Sequence, residues 1–230
     1  MSRGQRGRDR SLTRDRIIDV ALRIADNEAD LDRLTVRRLA GELNVGTMTL
    51  YGYFHNKDEI LDAMGDRVLG GMHLPDEPDA GPAEALHTVA HAFSRMMREH
   101  PSVVRLLTTR ITDSRRAVGG AMEAVLQRLV DAGIPGPLAV RCYGFLITYT
   151  IGFAGYQVPR RWGRADAADG AEARRRRRHF YHGLPTEDFP QVVSLVDEIV
   201  ELPSDEQFAS GLAAYIDGML HMLTRAGVKV

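Results

Sequence analysis

The chain has 230 residues, of which 44% are apolar and 27% charged, a composition typical of a soluble globular protein that excludes a disordered chain, a collagen and a bare coiled coil. Its 30 basic and 31 acidic residues give a net charge of -1, so the total charge indicates neither nucleic acid nor membrane. The single cysteine, Cys142, excludes an internal disulfide and a cysteine-based metal site. We therefore expect a reducing, cytoplasmic location, and the basic first ten residues lead into no secretory signal.

The charge is unevenly distributed along the chain. Residues 1–57 contain eleven basic and eight acidic side chains, whereas the rest of the chain carries a net charge of -4. The first sixteen residues contain six arginines and two aspartates without apolar periodicity. We interpret residues 1–12 as a flexible basic arm. Two roles stay open for this arm: a solvated tail, or contact with DNA phosphates or a minor groove.

Apolar residues spaced three to four apart predict a first helix over 14–27 and a second over 36–43, with Thr35 as its N-cap. Asn44 then ends the second helix, because asparagine tolerates the left-handed conformation better than other residues with a Cβ. Thr47 is placed to cap a third helix whose inward residues are Leu50 and Phe54. Its exposed side is therefore short, hydroxyl-rich and aromatic.

The rest of the chain predicts further helices, and its pattern contains no strand period. Asn56 and Ser204 each precede a glutamate or glutamine by three residues, as in a capping box. The segment 73–82 contains three prolines and is the best linker candidate, whereas 159–188 is interpreted as a long loop or a weak helix. The predicted helices cover about 57–72, 86–97, 101–109, 117–132, 138–158, 190–200 and a last one from 205.

Residues 138–158 are apolar on nearly every side and just long enough to span a bilayer. A membrane anchor is one hypothesis, although Arg141 lies near one end and no second segment approaches this length. A fully buried core helix has the same pattern and is the interpretation we favour. One small helical domain cannot cover such a helix on all sides, so part of it should face a cavity or a second subunit.

Five consecutive arginines, 174–178, form the strongest charge run of the chain. Such a run can contact nucleic acid. Alternatively, the run is solvated or meets acidic groups of its own domain, and we favour this second interpretation.

The stretch 35–57 contains two short amphipathic helices joined by a tight turn, which is the helix-turn-helix arrangement. In this arrangement the second helix presents its N-terminal half to the major groove. Thr47 and Thr49 can contact base edges, while Tyr51, Tyr53 and Lys57 can bind phosphates. A generic helical hairpin explains the apolar stripe equally well, but it does not explain the Tyr-x-Tyr-Phe-x-x-Lys sequence.

Residues 13–61 resemble the DNA-binding region of the TetR family of transcriptional regulators, most specifically through T-L-Y-x-Y-F-x-N-K-x-E-[IL]-L at 49–61. The sequence E-Q-F-x-x-G-L-x-x-x-I-D-G-[ML] at 206–220 resembles the C-terminal domain of the tetracycline-repressor branch. The resemblance implies an all-α fold, with a three-helix helix-turn-helix domain at 13–57 and a larger helical ligand-binding and dimerisation domain at 58–230. It also implies DNA-binding roles for Thr35, Arg37, Thr47, Met48, Thr49, Tyr51, Tyr53 and Lys57.

The same resemblance implies a homodimer with a cavity for a small-molecule effector. His73 matches a ligand-contacting histidine of the tetracycline repressors, but Arg105 lies near their magnesium-binding histidine, so we expect a different ligand, no metal and no cofactor. The remaining ligand candidates are aromatic or aliphatic residues at helical spacing, and residues in this pattern belong to the core more often than to the wall of a pocket. The candidate ligand contacts are His73, Phe93, Met97, Met122, Leu126, Tyr143 and Ile147.

Together these features predict a repressor that binds a palindromic DNA operator as a dimer and is released by a small, largely apolar molecule. No catalytic motif is present, so we expect no enzyme activity. His87 and His91 stand one turn apart but are interpreted as surface histidines. Two alternatives stay open: a regulator-shaped sensor or scaffold without specific DNA binding, and a membrane-anchored helical protein.

Overall fold

The structure is a computed structural model that describes residues 12–28, 30–110, 114–157 and 170–228. Every regular element in these ranges is helical, which confirms the predicted all-α class. The helices are α1 (Arg14–Glu28), α2 (Val36–Leu43), α3 (Thr47–Tyr51), α4 (Lys57–Leu69), α5 (Pro82–Glu99), α6 (Pro101–Thr109), α7 (Arg115–Ala117), a π-helical segment (Val118–Glu123), α8 (Ala124–Asp131), α9 (Gly136–Gln157), α10 (Gly170–His182), α11 (Pro190–Ser194), α12 (Val196–Val200) and α13 (Asp205–Arg225).

The chain divides into two compact units. The first contains the described residues up to His73 together with Arg95–Ala124, and the second contains Leu74–Ser94 and the described residues from Val125 onward. The predicted functional boundaries at residues 12 and 57 stay predictions. The proposed basic arm lies outside the described residues, apart from Leu12.

The core of the first unit is built around α1, which contacts α2, α4 and α6. Its apolar stripe is wide because three helices pack against it. The buried residues of α1 are Ile17, Ile18, Val20, Ala21, Leu22, Ile24 and Ala25. On α4 the buried residues are Ile60, Leu61, Met64, Gly65, Val68 and Leu69.

Helix α4 ends at Leu69, earlier than the predicted residue 72, because two glycines follow and glycine is a poor helix former. The π-helical segment was not predicted. At Gly120 this segment meets the end of α4 backbone to backbone: an added Cβ would lie 2.6 Å from the Cα of Gly70 and 2.8 Å from the carbonyl oxygen of Leu69. The two elements can approach this closely only because Gly120 has no side chain.

The second unit includes an aromatic contact between α9 and α13. Phe145 stacks on Tyr215 with ring centres 3.6 Å apart, and the hydroxyl of Tyr149 donates to the carbonyl oxygen of Phe208 at 3.0 Å. Cys142 is fully buried. Burial raises the pKa of the Cys142 thiol, and the nearby Tyr215 offsets this increase only in part, so this cysteine is a neutral core residue.

The arginine run lies on α10, where the sequence left a loop or a weak helix open. The predicted single helix over 190–200 is instead two short helices, α11 and α12, separated at Leu195. Acidic side chains of the same unit pair with the run, which favours the second of its two interpretations. The pairs are Arg174–Glu201, Arg175–Glu172, Arg176–Glu172 and Arg178–Asp197, and Arg177 donates to the hydroxyl of Tyr181.

Candidate nucleic-acid interface

The turn between α2 and α3 has the geometry that its sequence predicts. Thr35 caps α2, its hydroxyl oxygen accepting the backbone N–H of Arg38 at 3.1 Å. Asn44 ends the helix in the left-handed region, with φ 55° and ψ 45°. The turn is therefore tight, and it brings α3 against α2.

Helix α3 turns one side to the core and the other to solvent. Leu50 and the following Phe54 are 1% and 2% exposed, whereas Met48 is 79% exposed. Thr47, Thr49 and Tyr51 are also exposed, so the predicted base-reading side chains share the outer surface. The expected cap of α3 was wrong: Thr47 is the first helical residue, and Gly46 occupies the cap position without a side-chain hydrogen bond.

The other predicted DNA contacts flank α3. Arg37 is exposed in the first turn of α2, while its neighbour Arg38 is held by Glu28 at 2.6 Å. Lys57 is half-buried at the first residue of α4. Tyr53 is half-buried, and its hydroxyl donates to the carbonyl oxygen of Leu12 at 2.9 Å. The binding roles of these residues stay predictions.

Asn56 caps α4 as predicted, its side-chain oxygen accepting the backbone N–H of Glu59 at 2.8 Å. The reciprocal half of the expected capping box differs. Glu59 accepts the backbone N–H of His55, not that of Asn56, at 2.7 Å, and it also accepts a hydrogen bond from Arg14 at 2.8 Å. Sequence reasoning missed Arg14, because a contact between residues 45 positions apart has no periodic signature.

Helix α6 is tied to the helix-turn-helix region by polar contacts. Arg110 binds Asp58 and Asp62 at the start of α4, the latter at 2.6 Å. Arg105 pairs with Asp32, in a short 3₁₀ helix (Leu31–Arg33) before α2, at 2.8 Å. Arg105, which the sequence placed near a magnesium-binding position of the tetracycline repressors, therefore forms a surface ion pair within the first unit.

The carboxylate of Asp26, near the end of α1, binds the first turn of α6. It accepts the backbone N–H of Ser102 at 3.1 Å as well as the hydroxyl of the same serine. The other oxygen lies 2.8 Å from Nδ1 of His100. This hydrogen bond to Asp26 raises the pKa of His100, because it outweighs the opposing effect of burial.

The candidate ligand contacts are divided between the two units. Phe93, Leu126, Tyr143 and Ile147 belong to the second unit, where Phe93 meets Tyr143 edge to face with ring centres 6.0 Å apart. The first unit contains the other three, of which Met97 is buried and Met122 and His73 are exposed. Their roles as ligand contacts stay predictions.

The described residues contain no group of three or more potential metal ligands. His87 and His91 are exposed and stack with ring centres 6.2 Å apart. Burial raises the pKa of the Tyr143 hydroxyl, so this group stays protonated and can donate a hydrogen bond.

Helix α9 is the candidate membrane span within the part of the chain that the structure describes. Its length and composition would suffice to cross a bilayer, and 22% of its most apolar window is buried within one chain. Length and composition alone do not distinguish a span from a helix covered by a second subunit. The distinction comes from the comparisons with known proteins.

Two family models match the chain. The model of bacterial regulatory proteins of the tetR family matches residues 17–64, and the model of the tetracyclin repressor-like C-terminal domain matches residues 74–223. The second match contains α9 entirely, which assigns this helix to a repressor domain and favours a regulator over a membrane-anchored protein.

The relatives agree with these models over nearly the whole chain. The HTH-type transcriptional repressor DrrR1 of Streptomyces coeruleorubidus is 33% identical over 94% of this chain and 80% of its own length. Tetracycline repressor class A of Escherichia coli is 28% identical, with 84% of each chain covered. The crystal structure of the TetR family protein ActR of Streptomyces coelicolor, in complex with actinorhodin, superimposes with a TM-score of 0.74 at 33% identity, covering 92% and 98% of the two chains.

The comparisons confirm the fold class and the resemblance that the sequence indicated. They identify a DNA-binding regulator, from a family of transcriptional regulators and not of enzymes. Both family matches and the coverage of DrrR1 lead to the same conclusion: the chain belongs to the TetR family of transcriptional regulators, with a tetracycline-repressor-like C-terminal domain.

Proposed function

We propose that the protein is a cytoplasmic homodimeric repressor that binds a palindromic operator and is released from it by a small, largely apolar molecule. The main observation behind this proposal is that α3 packs on one side only, which buries Leu50 and leaves Met48 79% exposed. In a dimer, two copies of α3 would enter successive major grooves, about 34 to 36 Å apart. The proposed DNA contacts are Thr35, Arg37, Thr47, Met48, Thr49, Tyr51, Tyr53 and Lys57.

A homodimer explains the apolar surface of α9 and α13. Val140, Phe145 and Tyr156 on α9, and Met222 on α13, are 56%, 37%, 52% and 48% exposed in the single chain. Exposed apolar side chains on helices of this kind are typical of a face that a second subunit covers. A second subunit would also cover the part of α9 that its own domain leaves exposed, as the apolar sequence of this helix requires.

The effector proposal rests on the likeness to ActR, whose structure contains actinorhodin. Within the second unit, Phe93, Leu126, Tyr143 and Ile147 are the proposed contacts. The edge-to-face pair Phe93–Tyr143 offers apolar surface, and the protonated Tyr143 hydroxyl can donate to an oxygen of an otherwise apolar molecule. His73 stays a candidate from the family resemblance, and Met97 and Met122 stay candidates from their residue type and helical spacing.

Release from DNA requires that the effector prefer one of two arrangements of the dimer. Operator affinity then falls only by the ratio of effector affinities for these arrangements. Helix α4 is the proposed lever, because Arg110 holds its start to α6 and Arg67 holds its later part to Asp15 and Asp19 of α1. A displacement of α4 would therefore move the DNA-binding helices with it.

Footprinting on DNA upstream of the gene tests this function. The wild-type protein should protect a palindrome, and Lys57→Ala should reduce the slope of log affinity against log salt by about 0.9 if it removes one phosphate contact. Tyr51→Ala should weaken binding to every sequence without changing this slope, because a tyrosine hydroxyl is neutral. Arg23→Ala is the control, since Arg23 is exposed on α1 and has no ion pair among the described residues. A protein without specific DNA binding would protect no palindrome, which would favour the sensor or scaffold instead.

A further inference from the structure

Arg14, in the first turn of α1, contacts the chain segment that follows the recognition helix. One guanidinium nitrogen donates to the carbonyl oxygen of Tyr53, and the other donates to Glu59 at 2.8 Å. The guanidinium carbon lies 4.2 Å from the ring centre of Phe54. One side chain thus joins the start of α1, the end of α3 and the first turn of α4; we name Arg14, Glu59 and the Tyr53 carbonyl the Arg14 clamp.

Two further hydrogen bonds reinforce the clamp. The second carboxylate oxygen of Glu59 accepts the backbone N–H of His55 at 2.7 Å, and the Tyr53 hydroxyl donates to the carbonyl of Leu12 at 2.9 Å. The hydrogen bonds from Arg14 and His55 hold the pKa of Glu59 below its ordinary value. The clamp is therefore a pair of opposite charges at neutral pH.

Helix α3 depends on contacts at its ends for its direction. It has five residues, Leu50 is its buried residue, and an isolated helix of this length is unstable in water. The left-handed Asn44 fixes the chain that leads into α3. The clamp is the corresponding polar contact at the other end. Base recognition requires that the outward side chains be held to within about 0.5 Å.

Arg14 has no favourable role in its own helix. A cation in the first turn lies at the positive end of the helix dipole, where it destabilises the helix. Glu59, in contrast, lies in the first turn of α4, where a carboxylate is stabilised. The position of Arg14 is thus explained by its contacts with the end of α3, which engage both terminal nitrogens of its guanidinium group.

We propose that Arg14 is a positioning residue for sequence recognition: it fixes the C-terminal end of α3 without itself carrying a base or phosphate contact. The inference rests on the proposed DNA-binding function and goes beyond it. It assigns operator specificity in part to a residue outside the helix-turn-helix motif.

The experiment compares Arg14→Gln with wild type on two duplexes: one selected by the wild-type protein from a random pool, and a scrambled duplex of the same composition. Affinities are measured as a function of salt. We expect Arg14→Gln to lower the affinity ratio of the two duplexes about tenfold or more, as one misplaced base contact would. The salt dependence on the scrambled duplex should stay unchanged.

Glu59→Gln separates positioning from simple electrostatics. This change removes a negative charge, so electrostatics alone would tighten binding to both duplexes, whereas a weakened clamp lowers the affinity ratio. The double variant should lose no more specificity than Arg14→Gln alone, because Arg14→Gln already removes the contact with Glu59 as well as the one with the Tyr53 carbonyl. Arg23→Gln, with the same charge change on an exposed position of α1, should keep the wild-type ratio.

Thermal unfolding and far-ultraviolet circular dichroism verify that each variant is folded. A uniform loss of affinity on both duplexes with a smaller salt slope would overturn the inference, since it would show a phosphate contact by Arg14. An unchanged ratio in both Arg14→Gln and Glu59→Gln would also overturn it. Failure of the proposed function would look different, because the wild-type protein would then select no sequence from the pool.

Discussion

Asp79 and Arg128 form an ion pair that is largely excluded from water. Their side chains are 4% and 14% exposed, and Nε of Arg128 lies 2.5 Å from the carboxylate of Asp79. Arg128 also donates to the carbonyl oxygens of Pro75 and Glu77, and Thr88 donates to Asp79. The predicted linker at 73–82 is therefore fastened to α8 and α5 within the second unit.

Asp79→Ala should destabilise the protein by about 3 to 5 kcal/mol, because the Arg128 charge stays buried without its partner. Urea unfolding measures this loss. Asp197→Ala is the control: its pair with Arg178 is exposed, so its removal should cost less than about 1 kcal/mol. Equal small losses in the two variants would show that the buried pair is already solvated.

Gly120→Ala should destabilise the first unit by about 1 to 3 kcal/mol, since the new methyl group would meet the backbone at Gly70 and Leu69. The neighbouring Gly119 is the matched control, because a Cβ there has no atom within 4 Å. Gly119→Ala should leave stability unchanged or raise it slightly. Thermal melts of the two variants decide the matter, and equal melting temperatures would contradict the close approach.

The pair His100–Asp26 should make stability depend on pH. Because the folded-state pKa of His100 is raised above 6.5, its contribution is fully present below that value and is lost as the pH rises through the folded-state pKa. The free energy of unfolding, measured from about pH 5.5 to about pH 8.5, should therefore decrease across the upper part of this range. His100→Gln should flatten this decrease, and an identical pH profile in that variant would contradict the assignment.

The double change Arg175→Ala and Arg176→Ala should leave the salt dependence of DNA binding unchanged. Both arginines pair with Glu172, at 2.6 Å and 2.8 Å, on an exposed face of α10. Exposed pairs of this kind contribute little to stability, at most about 1 kcal/mol. A smaller salt slope in this variant would instead favour the alternative in which the run contacts nucleic acid.

Much of the helix-turn-helix region could be predicted from the sequence, because its signals are local. Thr35, Asn44 and Asn56 act through hydrogen bonds or backbone angles within a few residues of themselves. The outward direction of Thr49 and the inward direction of Leu50 follow from helical periodicity alone. The candidate DNA-binding surface could be predicted from the sequence for the same reason.

The contacts that position this surface could not be predicted. The Arg14 clamp and the pairing of Arg110 with Asp62 join residues far apart in sequence, and charge pairs have no period. The π-helical segment at Gly120 depends on where α4 ends, which is a property of the folded unit. The candidate ligand residues were hardest, because aromatic residues at helical spacing line cores and pockets alike.

Cys142 provides a natural reporter of how often the second unit opens. It is the only cysteine of the chain, its thiol is fully buried, and its raised pKa keeps it unreactive in the native state. Alkylation by an external thiol reagent would therefore proceed only through states in which Cys142 becomes exposed to solvent. The alkylation rate then follows the population of these open states, and an effector that binds this unit would slow the reaction in a chain that needs no engineered cysteine.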